Sequence, residues 1–176
     1  MQKSEKQSRQ EKLGWTKAEI DKCWSPAESP PRLASGSIPR DGFQLVATCS
    51  PEFVIEYLET PDLVPVNVDQ YSTMDALIAF IAVMSMRYGL YCPETVRRVC
   101  TFLRRYTLDE LNAELQAGRS FVLVPTYKEP RFTDEDLILV NLRQICGDHI
   151  YPGFLLDVAA AVATVNARIR REGGAA

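Results

Sequence analysis

Between Met74 and Met86 the chain carries only two polar side chains, Asp75 and Ser85. A helix of that composition is apolar all round, so it has no face to offer water and must be enclosed by other elements. The flanks agree with a helix over 72–89. Ser72 or Thr73 is placed to cap the first free N–H groups, Asp75 sits in the first turn where the dipole favours an anion, and Gly89 suits the left-handed position after the last turn. A membrane span needs about 20 apolar residues. This run is shorter and is bounded by Asp75 and Arg87, so a buried central helix is expected and no membrane association.

Enclosing such a helix takes a sizeable core, and 176 residues suffice for one domain with a tail. The formal charge of −3 is close to balanced, which excludes a polycationic protein and leaves room only for local binding of nucleic acid. Five cysteines, Cys23, Cys49, Cys92, Cys100 and Cys146, are widely spaced and odd in number, and no secretory apolar region opens the chain. Reduced thiols and a cytoplasmic location are expected.

Residues 1–40 differ from the rest. Lys, Gln, Ser and Glu dominate first, then a Pro-rich stretch, and eight Lys or Arg against five acids give this arm +3 and leave −6 for the remainder. Too little apolar surface is present to offset chain entropy, so the arm reads as largely disordered. One piece differs: Thr16 and Glu19 have capping-box spacing, Trp15 and Ile20 that of a hydrophobic staple, and a short helix is expected over 17–24. Ile20, Cys23 and Trp24 then share one side with i, i+3, i+4 spacing. So short a helix is marginal alone and calls for a surface, either its own domain or the groove of a partner. Tryptophan is a frequent interface anchor, and this stretch holds both tryptophans of the chain.

In the remainder, FQLVAT (Phe43–Thr48) reads as a strand, Ser50 and Pro51 open a helix to about Leu58, and LVPVNV (Leu63–Val68) reads as an edge or bulged strand because Pro65 cannot donate. These three make a β-α-β unit. Pro93 opens a helix to about Tyr106 with Val96, Val99, Cys100 and Leu103 inward, and Thr107 with Glu110 makes a second capping box for a helix that Gly118 stops. Ser120–Tyr127 reads as a strand, followed by a polar loop, KEPRF. An acidic first turn after Thr133 opens a helix to about Cys146, within which Leu137–Val140 is equally compatible with a strand. The last helix is expected from Phe154 to about Arg171, carried by Leu155, Val158, Val162, Val165 and Ile169.

Chemistry-bearing residues are sparse. His149, the single histidine, stands beside Asp148 in a turn and could form an acid–base pair only if a nucleophile approached in space. No two cysteines have C-x-x-C spacing, so no metal is expected, and no glycine-rich phosphate loop or G-x-S-x-G elbow points to a cofactor or a serine nucleophile. Cys49 lies where the strand gives way to a helix N-terminus, a setting that lowers a thiol pKa. The order strand, Cys49-Ser50-Pro51, helix, proline-bearing strand resembles the opening of thioredoxin-type folds, which would imply thiol chemistry at Cys49, although a second redox cysteine is missing. Arg97, Arg98, Arg104 and Arg105 form the one basic stripe, paired a heptad apart, and guanidinium groups in a row can follow a phosphate backbone. If Pro93–Gly118 were a helix-turn-helix, the second helix would bring Asp109, Glu110 and Glu114 to the groove, where they would repel DNA.

The expected architecture is therefore α+β and mainly helical: an arm over 1–40, one domain over 41–171 with a buried central helix and a small sheet, and a frayed tail over 172–176. The expected function is non-enzymatic: interaction or assembly, with Trp15, Ile20, Cys23 and Trp24 docking on a protein partner or a neighbouring copy. The alternative is nucleic-acid binding through the arginine stripe, and a further one a thiol enzyme at Cys49.

Overall fold

In the computed structural model, which describes residues 30–66, 68–87, 93–125, 129–134 and 153–173, the elements run in the following order. They are β1 (Ser37–Pro39), α1 (Arg40–Ala47), α2 (Pro51–Leu58), β2 (Gln70–Ser72), α3 (Thr73–Arg87), α4 (Pro93–Arg104), α5 (Leu108–Gln116), β3 (Phe121–Pro125), β4 (Arg131–Thr133), β5 (Gly153–Asp157) and α6 (Val158–Gly173). The architecture is α+β and mainly helical, and α3 is its centre. Every side chain from Met74 to Val83 is buried, as an all-round apolar helix requires, and α1, α2, α4 and α6 surround it. Its N-terminus is closed reciprocally. Ser72 Oγ accepts from the Asp75 N–H at 3.1 Å, while the Asp75 carboxylate accepts from the Ser72 N–H at 2.8 Å and its hydroxyl at 2.6 Å. Gly89 lies outside the described residues, and no described helix is long and apolar enough to cross a membrane.

Cap chemistry fixes the starts of α2 and α5 in the same way. Ser50 Oγ accepts from the Phe53 N–H at 3.2 Å with Pro51 in the first turn of α2. Thr107 and Glu110 form the full capping box of α5, and the Thr107 N–H and hydroxyl, both donating to the Glu110 carboxylate, hold it below its usual range. Helix α4 buries Val96, Val99, Cys100 and Leu103 and tightens at its end into i→i+3 bonds, Arg105 N–H to Phe102 O and Tyr106 N–H to Leu103 O. Gly118, at φ 81°, takes the left-handed position that stops α5.

Four sequence expectations are corrected. Phe43–Thr48 is not a strand but the body of α1: Phe43, Val46 and Ala47 are buried with i, i+3, i+4 spacing, so the helical period prevails over the β-branched composition of a short run. Leu63–Val64 are buried in a bend rather than a strand, and among the described residues the strands that flank α2 in sequence are β1 and β2, which pair antiparallel with Ile38 opposite Tyr71. The β-α-β unit and its likeness to thioredoxin-type folds therefore fall. The supposed loop KEPRF contributes Arg131 and Phe132 to β4, which pairs with β3 and ends at Thr133. The helix expected from there to Cys146 lies outside the described residues, as does Leu137–Val140.

The last helix begins four residues later than expected. Gly153–Asp157 pairs antiparallel with β3 along its whole length, giving a second sheet of order β4-β3-β5. The reason is a cap: Asp157 Oδ1 accepts from the Ala160 N–H at 2.8 Å, and Ser120 O accepts from Val158 and Ala159. Val158, Val162 and Val165 are then buried and Ile169 half-buried, while Leu155 is left 38 % exposed on the sheet.

Candidate protein interface

Trp15, Ile20, Cys23 and Trp24 lie outside the described residues, as do Asp148 and His149. The root of the arm does not. Residues 30–36, counted with the arm on composition, run as an extended strap across α5 and α6, and the polar side chains of those helices hold its backbone. Asn112 of α5 takes both groups of Leu33, its Oδ1 accepting from the N–H at 2.8 Å and its Nδ2 donating to the carbonyl at 3.1 Å. Asn166 of α6 does the same one residue to either side, accepting from the Ala34 N–H at 3.0 Å and donating to the Arg32 carbonyl at 2.6 Å. Gln116 donates to the Pro30 carbonyl at 3.1 Å and the Thr73 hydroxyl to the Ala34 carbonyl at 2.7 Å. Side-chain amides thus replace the neighbouring strand that would otherwise satisfy this backbone. Leu33, 2 % exposed, is the strap's one deeply buried side chain.

Sequence reasoning missed these clamp residues, though a faint signal was present. Asn166 lies on the line of Val162 and Ile169, and Asn112 lies between Leu111 and Leu115. An amide at the margin of an apolar stripe is where a helix can reach a bound backbone without burying an unpaired group.

Cys49 occupies a different place. The chain turns from α1 to α2 at Thr48, whose φ of 67° is unusual for a β-branched residue and is held by its N–H to Gln44 O at 2.8 Å. Beside this turn a cleft of about 370 Å³ is lined by Gln44, Cys49, Phe53, Val83 and Arg87. The thiol itself is 6 % exposed and donates to Ala79 O at 3.8 Å. Burial pushes it up to about 12, only partly offset by the Arg87 charge, and burial does the same to Cys100. Near neutral pH both are protonated and poorly nucleophilic. Cys49 and Cys100 are therefore expected to alkylate only on unfolding at pH 7–8; rapid modification of the native chain at Cys49 would contradict this. A thiol pKa raised by folding adds stability that is complete below the unfolded value and is lost as pH climbs toward 12. Urea midpoints falling between about pH 9 and 12 are the matching signature.

The four stripe arginines engage the chain's own groups. Arg104 Nη1 meets Asp75 Oδ1 at 2.6 Å, where the Asp75 side chain is 6 % exposed and that of Arg104 37 %. Arg97 Nη1 reaches Leu58 O at 3.5 Å, Arg105 pairs with Glu129 at 3.5 Å on the surface, and Arg98 too has a partner. Arg104 is thus a fixture of the central helix rather than a free cation. Among the described residues no three His, Cys, Asp or Glu side chains converge as a metal set. The chain matches no known protein family, and no curated protein or solved structure shows significant similarity to it.

Proposed function

We propose that this protein is a non-enzymatic interaction protein that assembles with neighbouring copies through its N-terminal arm, with Trp15, Ile20, Cys23 and Trp24 as the docking side chains. The observation that supports this most directly is the clamp. Because Asn112, Asn166 and Gln116 fix the backbone at Pro30–Ala34, the stretch bearing both tryptophans is joined in sequence to one defined point of the body. Only five residues, Ser25–Ser29, separate Trp24 from that root, and at about 3.3–3.6 Å each they keep the tryptophan close to it. The Cys49 thiol, buried and pushed up to about 12, does not favour the thiol-enzyme reading.

Phosphate binding by the arginine stripe has less support, since its innermost member is committed to Asp75. The test is the solution mass of the full chain by light scattering, with absorbance at 260 and 280 nm recorded across the peak. Trp24→Ala is expected to convert an oligomer to a monomer near 19.8 kDa at unchanged helix content. Loss of such an anchor weakens association roughly thirtyfold or more. An oligomer indifferent to Trp24→Ala, or a peak whose excess absorbance at 260 nm is removed by salt, would overturn the reading.

A further inference from the structure

We propose that the strap is an exchangeable element: residues 30–36 of one copy enter the α5–α6 clamp of a second copy, with Gly36 as the hinge. The inference rests on the self-association proposed above and names the segment and the site that carry it.

Three features of the strap point this way. Its recognition is by backbone, through the amide groups of Asn112, Asn166 and Gln116, with Leu33 as the single deep side chain. The same segment of another copy satisfies every one of those bonds identically, whereas a partner of different sequence must supply an extended backbone and a leucine at one fixed place. An empty clamp is unfavourable, because Asn112 is only partly exposed and would lose both partners at once.

The attachment is also slight for a segment that reaches across two helices. Arg32, Ala34, Ser35 and Gly36 are exposed, and a cleft of about 450 Å³ remains between Pro30–Arg32 and the α6 residues Ala163 and Arg170. Opening the strap therefore gives up one leucine contact and a short set of hydrogen bonds, all of which the exchanged state regains.

The boundary is sharp. Gly36 has φ 154° and no atom of the described residues lies within 4 Å of where its Cβ would stand, so its backbone is glycine-specific and uncrowded. Directly after it, β1 is fixed to β2 through Ser37–Pro39. Among the described residues the strap thus meets the paired strands of the body at Ser37.

The test uses the full chain with photo-leucine in place of leucine, a near-isosteric change, in an equimolar mixture of 15N-labelled and unlabelled protein diluted and then reconcentrated. Illumination joins Leu33 to α5 and α6, and mass spectrometry of the linked peptides reads their origin. Exchange predicts that about half of the strap-to-clamp links pair a heavy peptide with a light one, since partners are drawn at random. Links of single isotopic origin throughout overturn the proposal, because the strap then occupies only its own clamp. The solution mass of Trp24→Ala separates the two readings. Single-origin links together with a Trp24-dependent oligomer leave assembly through the arm intact and remove exchange. Mixed-origin links in an oligomer that ignores Trp24→Ala keep exchange and remove the tryptophans.

Discussion

Phe43→Ala is expected to destabilise the fold by about 3–5 kcal/mol, the range for removing a buried phenylalanine from a core that cannot collapse around the gap. Phe43 is fully buried, and its ring centroid lies 4.2 Å from that of Tyr71, so the side chain joins α1 to the β1–β2 pair. Its loss would strip Tyr71 of this ring contact, while among the described residues the buried Tyr71 hydroxyl has no hydrogen-bond partner. Urea unfolding followed by circular dichroism checks this through a lower midpoint at unchanged slope. Phe43→Leu, which refills much of the volume, should recover a good part of the loss. A cost near that of a surface substitution for Phe43→Ala would mean that α1 does not close the core.

Arg104→Ala should cost about 3 kcal/mol, the low end of the range for orphaning one member of a buried pair. The reason is asymmetric burial: the Asp75 carboxylate is enclosed, whereas the Arg104 side chain is more than a third exposed and pairs from the rim. Removing the arginine leaves a carboxylate held only by the Ser72 N–H and hydroxyl. Adding Asp75→Asn to Arg104→Ala is then expected to restore stability, because the uncompensated charge disappears while an oxygen remains to accept from Ser72. The double-mutant cycle reads the coupling directly. Should Arg104→Ala cost less than 1 kcal/mol, the pair would behave as a surface bridge. Arg104 would then be available to phosphate after all.

The features legible from sequence share a property, which is that their chemistry is local. Ser50 with Pro51, Ser72 with Asp75 and Thr107 with Glu110 each carry their cap within four residues, and each marks its helix within a residue or two. The all-apolar stretch demanded burial whatever the tertiary arrangement. What stayed hidden depended on partners far along the chain. Phe154–Leu156 has an apolar pattern that suits a helix as well as a strand, and only Val122–Val124 opposite it decides. Phe43–Thr48 is too short for its β-branched residues to outweigh a helical period, and α3 and α6 settle it by packing against that face. The clamp was hidden for the same reason. Asparagines on helices read as solvated side chains until a backbone 79 or 132 residues away in sequence arrives beside them.

That separation has a consequence for a chain made from its N-terminus onward. The strap leaves the ribosome ahead of its clamp, and Asn166 follows 132 residues behind Ala34. At about 5–20 residues per second the gap amounts to roughly 7–26 seconds, during which Leu33 and the peptide groups beside it lack a complete seat. Synthesis order therefore makes a segment translated ahead of the helices it lies on among the last to be housed.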